Sequence, residues 1–182
     1  MSTELVVMYE KEISVPADVS FEVQGKKIKV SGPKGTIEKS LPIPKGVKIE
    51  KSDSKVKVSS ELEEREFKSV VGTTIAHVRN SIEGVTKGFV YKLKVVYSHF
   101  PITVKVEGDK VIIQNFLGER IPRVAKIIPG VEVKVQGADI TVSGIDLDAV
   151  SQTAARIEIA TRRSGYDKKV FQDGAYITEK GG

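Results

Sequence analysis

The sequence contains no cysteine. That absence excludes disulfides, a thiolate nucleophile and any zinc site built on cysteine, and it is compatible with a reducing compartment. Histidine is scarce too. Only His77 and His99 occur, and neither has partners at metal-ligand spacing, so both read as structural or surface residues. Long apolar runs are missing. No stretch approaches the ~18 residues needed to span a bilayer. The opening segment MSTELVVMYEKEISVP lacks the basic end and apolar centre of a secretory signal. The expectation is a soluble intracellular chain with no metal, no cofactor and no membrane partner.

What is present is an ordinary globular balance. Of the 182 residues, 40% are hydrophobic and 29% charged, which argues against disorder. Lys+Arg number 29 against 24 Asp+Glu, giving net charge +5 and a pI near 9.2. That permits a nucleic-acid partner without requiring one.

The sequence repeats itself. VSFEVQGKKIKVSGPKGTIEKSLP aligns with ITVKVEGDKVIIQNFLGERIPRVA, matching Gly25 to Gly108 and Gly35 to Gly118 at an offset of about 83 residues. GVKIEKSDSKVKVSS then aligns with GVEVKVQGADITVSG. Alternating Phe21 and Val23, then Ile28 and Val30, predict a hairpin turning at Gly25-Lys26. Ile102, Val104 and Val106 with Val111 and Ile113 repeat it across Gly108-Asp109. Val47 and Ile49 with Val56 and Val58 predict a second hairpin, echoed by Val131, Val133 and Val135 with Ile140 and Val142.

A helical pattern closes each copy. Phe67, Val71, Ile75, Val78 and Ile82 recur at helical spacing, with a Ser60–Glu63 capping box before them and Gly84 as the expected end. In the second copy Asp146 is the expected N-cap, Leu147, Val150, Ala154, Ile157 and Ala160 form the stripe, and Gly165 is the expected end. The reading is an α+β fold: a tandem duplication of a small antiparallel β-β-β-β-α sheet with one helix packed on one face. The domains are placed at 9–90 and 91–179. GFVYKLKVVYSHFP, between the copies, is too apolar for a loose linker and is expected to carry a strand.

Catalytic inventories come up short. Gly32-Pro33-Lys34-Gly35-Thr36 is only superficially a phosphate loop. It lacks the full register and no helix follows, so a hairpin turn is expected. Asp146 and Asp148 suit a helix start, and no Ser-His-Asp set is identifiable. Charge is what distinguishes the copies. Glu61, Glu63, Glu64 and Glu66 crowd the start of the first helix. Arg156, Arg162, Arg163, Lys168 and Lys169 gather around the end of the second, beside Tyr166 and Phe171, with Arg162 and Arg163 expected in its last turn. One reading is a match to the helix dipole, supported by a Glu158–Arg162 pair. The other is a phosphate-binding patch, with aromatics that stack on bases or simply pack. Arg120 and Arg123, in GERIPR on the long hairpin loop, are candidates for the same surface. Beside RNA binding stand a protein–protein adaptor working through sheet edges and a hydrolase with a spatially assembled site.

NFLGERIPR from Asn115, PGVEVKVQGADITVSGID from Pro129 and RRSGYDKKVFQDGAYI from Arg162, in order with GPKGT at Gly32, resemble the L-six family of large-ribosomal-subunit proteins. The archaeal and eukaryotic branch is the nearer, and the resemblance runs from about Tyr9 to Glu179. It implies two related α+β domains, a structural rather than enzymatic role, and a cytoplasmic, ribosomal location. It further implies binding to large-subunit ribosomal RNA, mainly by the C-terminal domain, near the sarcin–ricin loop and stalk base. Neighbouring ribosomal proteins are the other implied partners, and homo-oligomers are not expected. By position, Lys168, Lys169, Val170 and Phe171 would contact RNA, with Arg162 and Arg163 leading in. Bacterial members carry Y-K-G-K-G where this chain has Tyr166-Asp167-Lys168-Lys169-Val170, so contacts that need those glycines do not transfer. Archaeal relatives often carry two arginines at Lys168 and Lys169. Lysine keeps the charge and loses the fork, which points to point-charge phosphate contacts.

Overall fold

The chain divides between Lys87 and Gly88 into two compact units. The computed structural model describes residues 9–41, 43–52, 54–60, 65–167 and 169–181. In the first unit the strands are β1 (Tyr9–Ser14), β2 (Ser20–Gln24), β3 (Lys27–Gly32), β4 (Gly35–Ser40), β5 (Val47–Ser52) and β6 (Lys55–Ser60), followed by helix α1 (Arg65–Thr86). Both expected hairpins form, with Phe21 opposite Val30, Val23 opposite Ile28 and Ile49 opposite Val58. Gly25 takes φ +63° at the first turn, where a side chain would be strained.

The strands build two three-stranded antiparallel sheets, in order β1-β6-β5 and β2-β3-β4. Helix α1 packs against strands of both. Its buried residues Val71, Ile75, Val78 and Ile82 join buried Phe21, Ile28, Val30, Val56 and Val58 in the core. This is helical period meeting strand period: a stripe on one element closes over alternate residues of the others.

The second unit repeats the plan and extends it. Its strands are β7 (Phe89–Val96), β8 (Thr103–Glu107), β9 (Lys110–Gln114), β10 (Arg123–Lys126), β11 (Val131–Gln136) and β12 (Asp139–Gly144); then come α2 (Leu147–Ala160) and β13 (Gly174–Gly181). The sheets run β10-β9-β8 and β11-β12-β7-β13. GFVYKLKVVYSHFP thus supplies β7, an inner strand of the larger sheet, with β12 on one side and β13 on the other.

Three expectations need correction. Among the described residues each unit places six strands before its helix, where four were expected in each copy besides the joining strand. β7 is the strand expected of the joining segment; the additional strands β1, β4 and β10 lie at sheet edges, and β4 and β10 bury one residue apiece, Ile37 and Ala125. Gly84 does not end α1. It is buried inside the helix, which runs to Thr86, and Gly88 takes the left-handed φ of +76° beyond it. Helix α2 ends at Ala160 rather than near Gly165, so Arg162 and Arg163 lie past its last turn. Asp146 is the N-cap, its carboxylate accepting from Asp148 N at 3.1 Å. The capping-box Glu63 and its neighbours at 61–64 lie outside the described residues.

GPKGT is a hairpin turn with a second task. Lys34 N donates to Val85 O at 2.9 Å, and Lys34 Nζ donates to Lys87 O, so the turn satisfies carbonyls at the end of α1. Gly32 makes the approach possible. A Cβ there would lie 2.7 Å from Val85 Cγ2 and 2.9 Å from Val85 O. Gly32→Ala should therefore destabilise the protein by about 1–3 kcal/mol through overpacking. Gly72, in the interior of α1 with nothing within 4 Å of a built Cβ, should behave oppositely, Gly72→Ala stabilising by ~0.5–1 kcal/mol. Urea unfolding checks both, and equal effects of the two substitutions would contradict the close-approach argument.

Candidate nucleic-acid interface

The basic residues of the second unit are placed by the way α2 stops. Thr161 is buried and turns the chain: its Oγ1 donates to Glu158 O at 3.0 Å and accepts the Ala175 amide at 2.9 Å. That second bond ties the end of α2 to the start of β13. Glu158, expected to pair with Arg162, instead accepts the Ile177 amide at 3.4 Å.

Helix-end carbonyls again need donors, and Arg123 supplies them. Its Nη1 donates to Ala160 O at 3.0 Å and Arg162 O at 2.9 Å, while Nε donates to Glu119 Oε2 at 2.8 Å and Nη2 to Oε1. The guanidinium lies 4.3 Å from the Phe116 ring centroid. Hydrogen bonding from Arg123 holds the Glu119 carboxyl below its usual range. The Arg123 fork therefore faces protein acceptors and binds the long hairpin loop to the end of α2. Arg163 also turns inward, its Nη1 donating to Asp173 O and reaching Tyr176 Oη at 3.4 Å.

The remaining candidates face outward. Arg162, Lys169, Arg120 and Arg156 are exposed. Among the described residues Arg120, Arg162 and Lys169 hold no ion pair, whereas Arg156 Nη1 reaches Lys126 O at 3.5 Å, further back along α2. Glu158, Ile159, Arg162, Arg163 and Tyr176 line a groove of about 470 Å³ beside the helix end. Lys168 lies outside the described residues. Asp167 shapes the turn that carries Lys169, its Oδ1 accepting Lys169 N at 2.9 Å and its carbonyl accepting Phe171 N at 2.9 Å.

The aromatics are not equivalent. Phe171 stacks on His99 with ring centroids 4.4 Å apart, and the exposed Tyr166 meets Phe171 edge-on at 4.9 Å. His99 in turn belongs to a cluster that spacing along the chain did not reveal. The buried Asp173 accepts Ser98 N at 2.9 Å, His99 N at 3.2 Å and His99 Nδ1 at 3.0 Å. Burial pushes the Asp173 carboxyl up, and these hydrogen bonds outweigh it, so the group titrates at about 2. The partners stand 74 and 75 residues apart, and no local pattern connects them.

Serine, histidine and aspartate do meet here, but not as a catalytic relay. Ser98 Oγ lies 3.1 Å from Nδ1, the same ring nitrogen that addresses Asp173. A relay needs the hydroxyl on one ring nitrogen and the carboxylate on the other. Among the described residues no group of three or more His, Asp or Glu side chains could hold a metal ion.

Fold and face together define the class: a tandem α+β protein whose second copy presents loop-borne cations and an exposed tyrosine around one helix end. The chain belongs to the Ribosomal protein L6 family, whose model matches residues 15–88 and again 100–174, once in each unit. That family is structural and non-enzymatic. Among its relatives, the large ribosomal subunit protein uL6 of Ignicoccus hospitalis is 50% identical over 169 residues, covering 91% of each chain. That of Aeropyrum pernix is 49% identical over 170 residues, covering 93% of each. That of Methanothrix thermoacetophila is 45% identical over 170 residues, covering 93% of this chain and 96% of its own.

The low Asp173 value has a measurable consequence. The folded carboxyl titrates below the 3.8 of a free aspartate, so its contribution to stability is complete above that value and is lost as pH falls towards 2. Asp173→Asn should therefore be less stable than the wild type at pH 6, and the difference should shrink between pH 4 and 2. Thermal melts across that range check it. A gap that stays constant with pH would rule out Asp173 as its source.

Proposed function

We propose that the chain is a structural constituent of the large subunit of the cytoplasmic ribosome and that its second unit holds large-subunit ribosomal RNA. The observation that carries this is the set of exposed cations, Arg120, Arg162 and Lys169, without ion pairs among the described residues and flanking one helix end. Long-range attraction to a phosphate backbone needs such groups, because each neutralised phosphate releases counterions. Tyr166 offers an exposed ring against which an unpaired base can stack. Arg123, Arg163 and Phe171 serve the same face from beneath, through their bonds to Arg162 O, Asp173 O and the His99 ring. Arg156 extends the basic surface along α2. The sarcin–ricin loop and stalk base form the expected RNA neighbourhood.

A protein neighbour suits the same unit. Ile121, Val124 and Ile159 are 80%, 50% and 62% exposed, more apolar surface than RNA binding requires. Neighbouring ribosomal proteins would cover it.

The RNA reading is tested by titrating the full chain with deproteinised large-subunit rRNA at several salt concentrations. Arg162→Ala and Lys169→Ala should each weaken binding and reduce the slope of log K against log salt by about 0.7–0.9 for every phosphate that is no longer neutralised. Neither should lower the melting temperature appreciably, because both side chains are exposed. A salt-independent wild-type affinity would defeat the proposal.

A further inference from the structure

Two loops carry the outward cations: the hairpin loop between β9 and β10, with Arg120, and the segment from α2 to β13, with Arg162, Tyr166 and Lys169. Among the described residues, the side-chain hydrogen bond that joins them runs from Arg123 to Arg162 O. Between them lies the short connection from β7 to β8, and it touches both. On one side Ser98 N, His99 N and His99 Nδ1 donate to Asp173, and the His99 ring stacks on Phe171. On the other side Pro101 O accepts Asn115 Nδ2 at 3.1 Å, and the Phe100 ring lies over Gly118, 3.4 Å from where a Cβ would be.

The hairpin loop needs an external hold. Asn115 and Leu117 take φ of 59° and 50°; asparagine enters this left-handed region readily, but leucine does so only when its surroundings impose it. The carboxylate of Asp173 needs a reason too. It is 1% exposed beneath a cationic face, so it cannot touch RNA, and its negative charge would oppose phosphate. Its three N–H donors all come from Ser98 and His99. Its role is therefore to hold that connection.

We propose that the Ser98–Pro101 connection is the positioning element that locks both cation-bearing loops into one RNA-facing surface before RNA arrives. This rests on the RNA reading given above and adds residues whose part is to position the cation-bearing loops. Ordering side chains in advance removes a cost otherwise met on binding. Losing the lock should weaken affinity about tenfold, the effect of one or two side chains ordered at the moment of binding. It should leave the salt slope unchanged, because the same phosphates are neutralised.

The experiment compares full-length wild type with His99→Ala, His99→Gln, Asp173→Asn and Phe100→Ala, using deproteinised large-subunit rRNA. It reads affinity, salt slope and amide hydrogen exchange in the free protein. The expected result is about tenfold weaker binding for His99→Ala and Asp173→Asn at unaltered slope, with faster exchange in both loops. His99→Gln, which retains a donor for Asp173, should recover part of the loss. Phe100→Ala acts from the other side through a ring that is 44% exposed, so it decides the matter if the Asp173 variants fail to fold. Wild-type affinity in His99→Ala or Phe100→Ala would overturn the proposal, as would a slope reduced as in Lys169→Ala. Flat salt dependence of the wild type would instead overturn the RNA reading beneath it.

Discussion

An α-helix leaves its last carbonyls without partners, and each unit of this protein meets that requirement with a basic residue from a hairpin. In the first, Lys34 at the β3–β4 turn donates its backbone amide to Val85 O and its Nζ to Lys87 O. In the second, Arg123 at the start of β10 donates to Ala160 O and Arg162 O. The constraint fixes where the hairpin tip sits, beside the helix end. In the first copy the tip is two residues, and it closes the site. In the second the connection runs from Asn115 to Pro122, and the extra residues carry Arg120 outward next to Arg162. Lengthening a hairpin already anchored at a helix terminus is a physically inexpensive way to build a basic surface, because the entropy of loop closure grows only slowly with length.

The copies diverge again after the helix. The chain leaving α1 goes straight into β7, an inner strand of the second unit. The chain leaving α2 returns as β13, antiparallel to β7 along Gly174–Gly181, with a bulge between Ile177 and Glu179. That return requires a crossing segment from the end of α2 back to the sheet edge, and the segment holds Arg162, Arg163, Tyr166 and Lys169. The added edge strand and the candidate interface are thus one event in the chain: β13, paired to β7, receives the far end of the basic segment.

Much of this was legible in the sequence. The hairpins of β2–β3, β5–β6, β8–β9 and β11–β12 follow from strict alternation, across a glycine turn in all but β5–β6, and both helices from their stripes, because buried faces impose a period. The edge strands β1, β4 and β10 were not legible. β10 buries only Ala125, so it leaves no alternation to detect. The ends of both helices were hidden for one reason. A glycine near the end of a stripe suggests a stop, whereas Gly84 is buried within α1 and α2 stops at Thr161, whose hydroxyl bonds back to Glu158 O. The basic cluster was visible as composition. Its clasp was not, since Asp173 reads locally as a turn residue before Gly174, and its partners lie on another connection.

The early end of α2 also explains why charge alone could not identify which cations face outward. In a helical last turn Arg162 and Arg163 would stand about 100° apart on one solvent-facing arc, equivalent to a partner. Outside the helix they separate. Arg162 is exposed while its carbonyl serves Arg123, and Arg163 folds inward to the Asp173 carbonyl and the Tyr176 hydroxyl. Both inward arginines, Arg123 and Arg163, meet fixed backbone oxygens, for which a planar fork with several donors is well matched. Lys169 sits on a turn and faces water, where a compact point charge on a flexible stem can follow a hydrated phosphate. Identical formal charges therefore divide into a set that shapes the surface and a set left on it. What separates them is whether folding has already given their donors an acceptor.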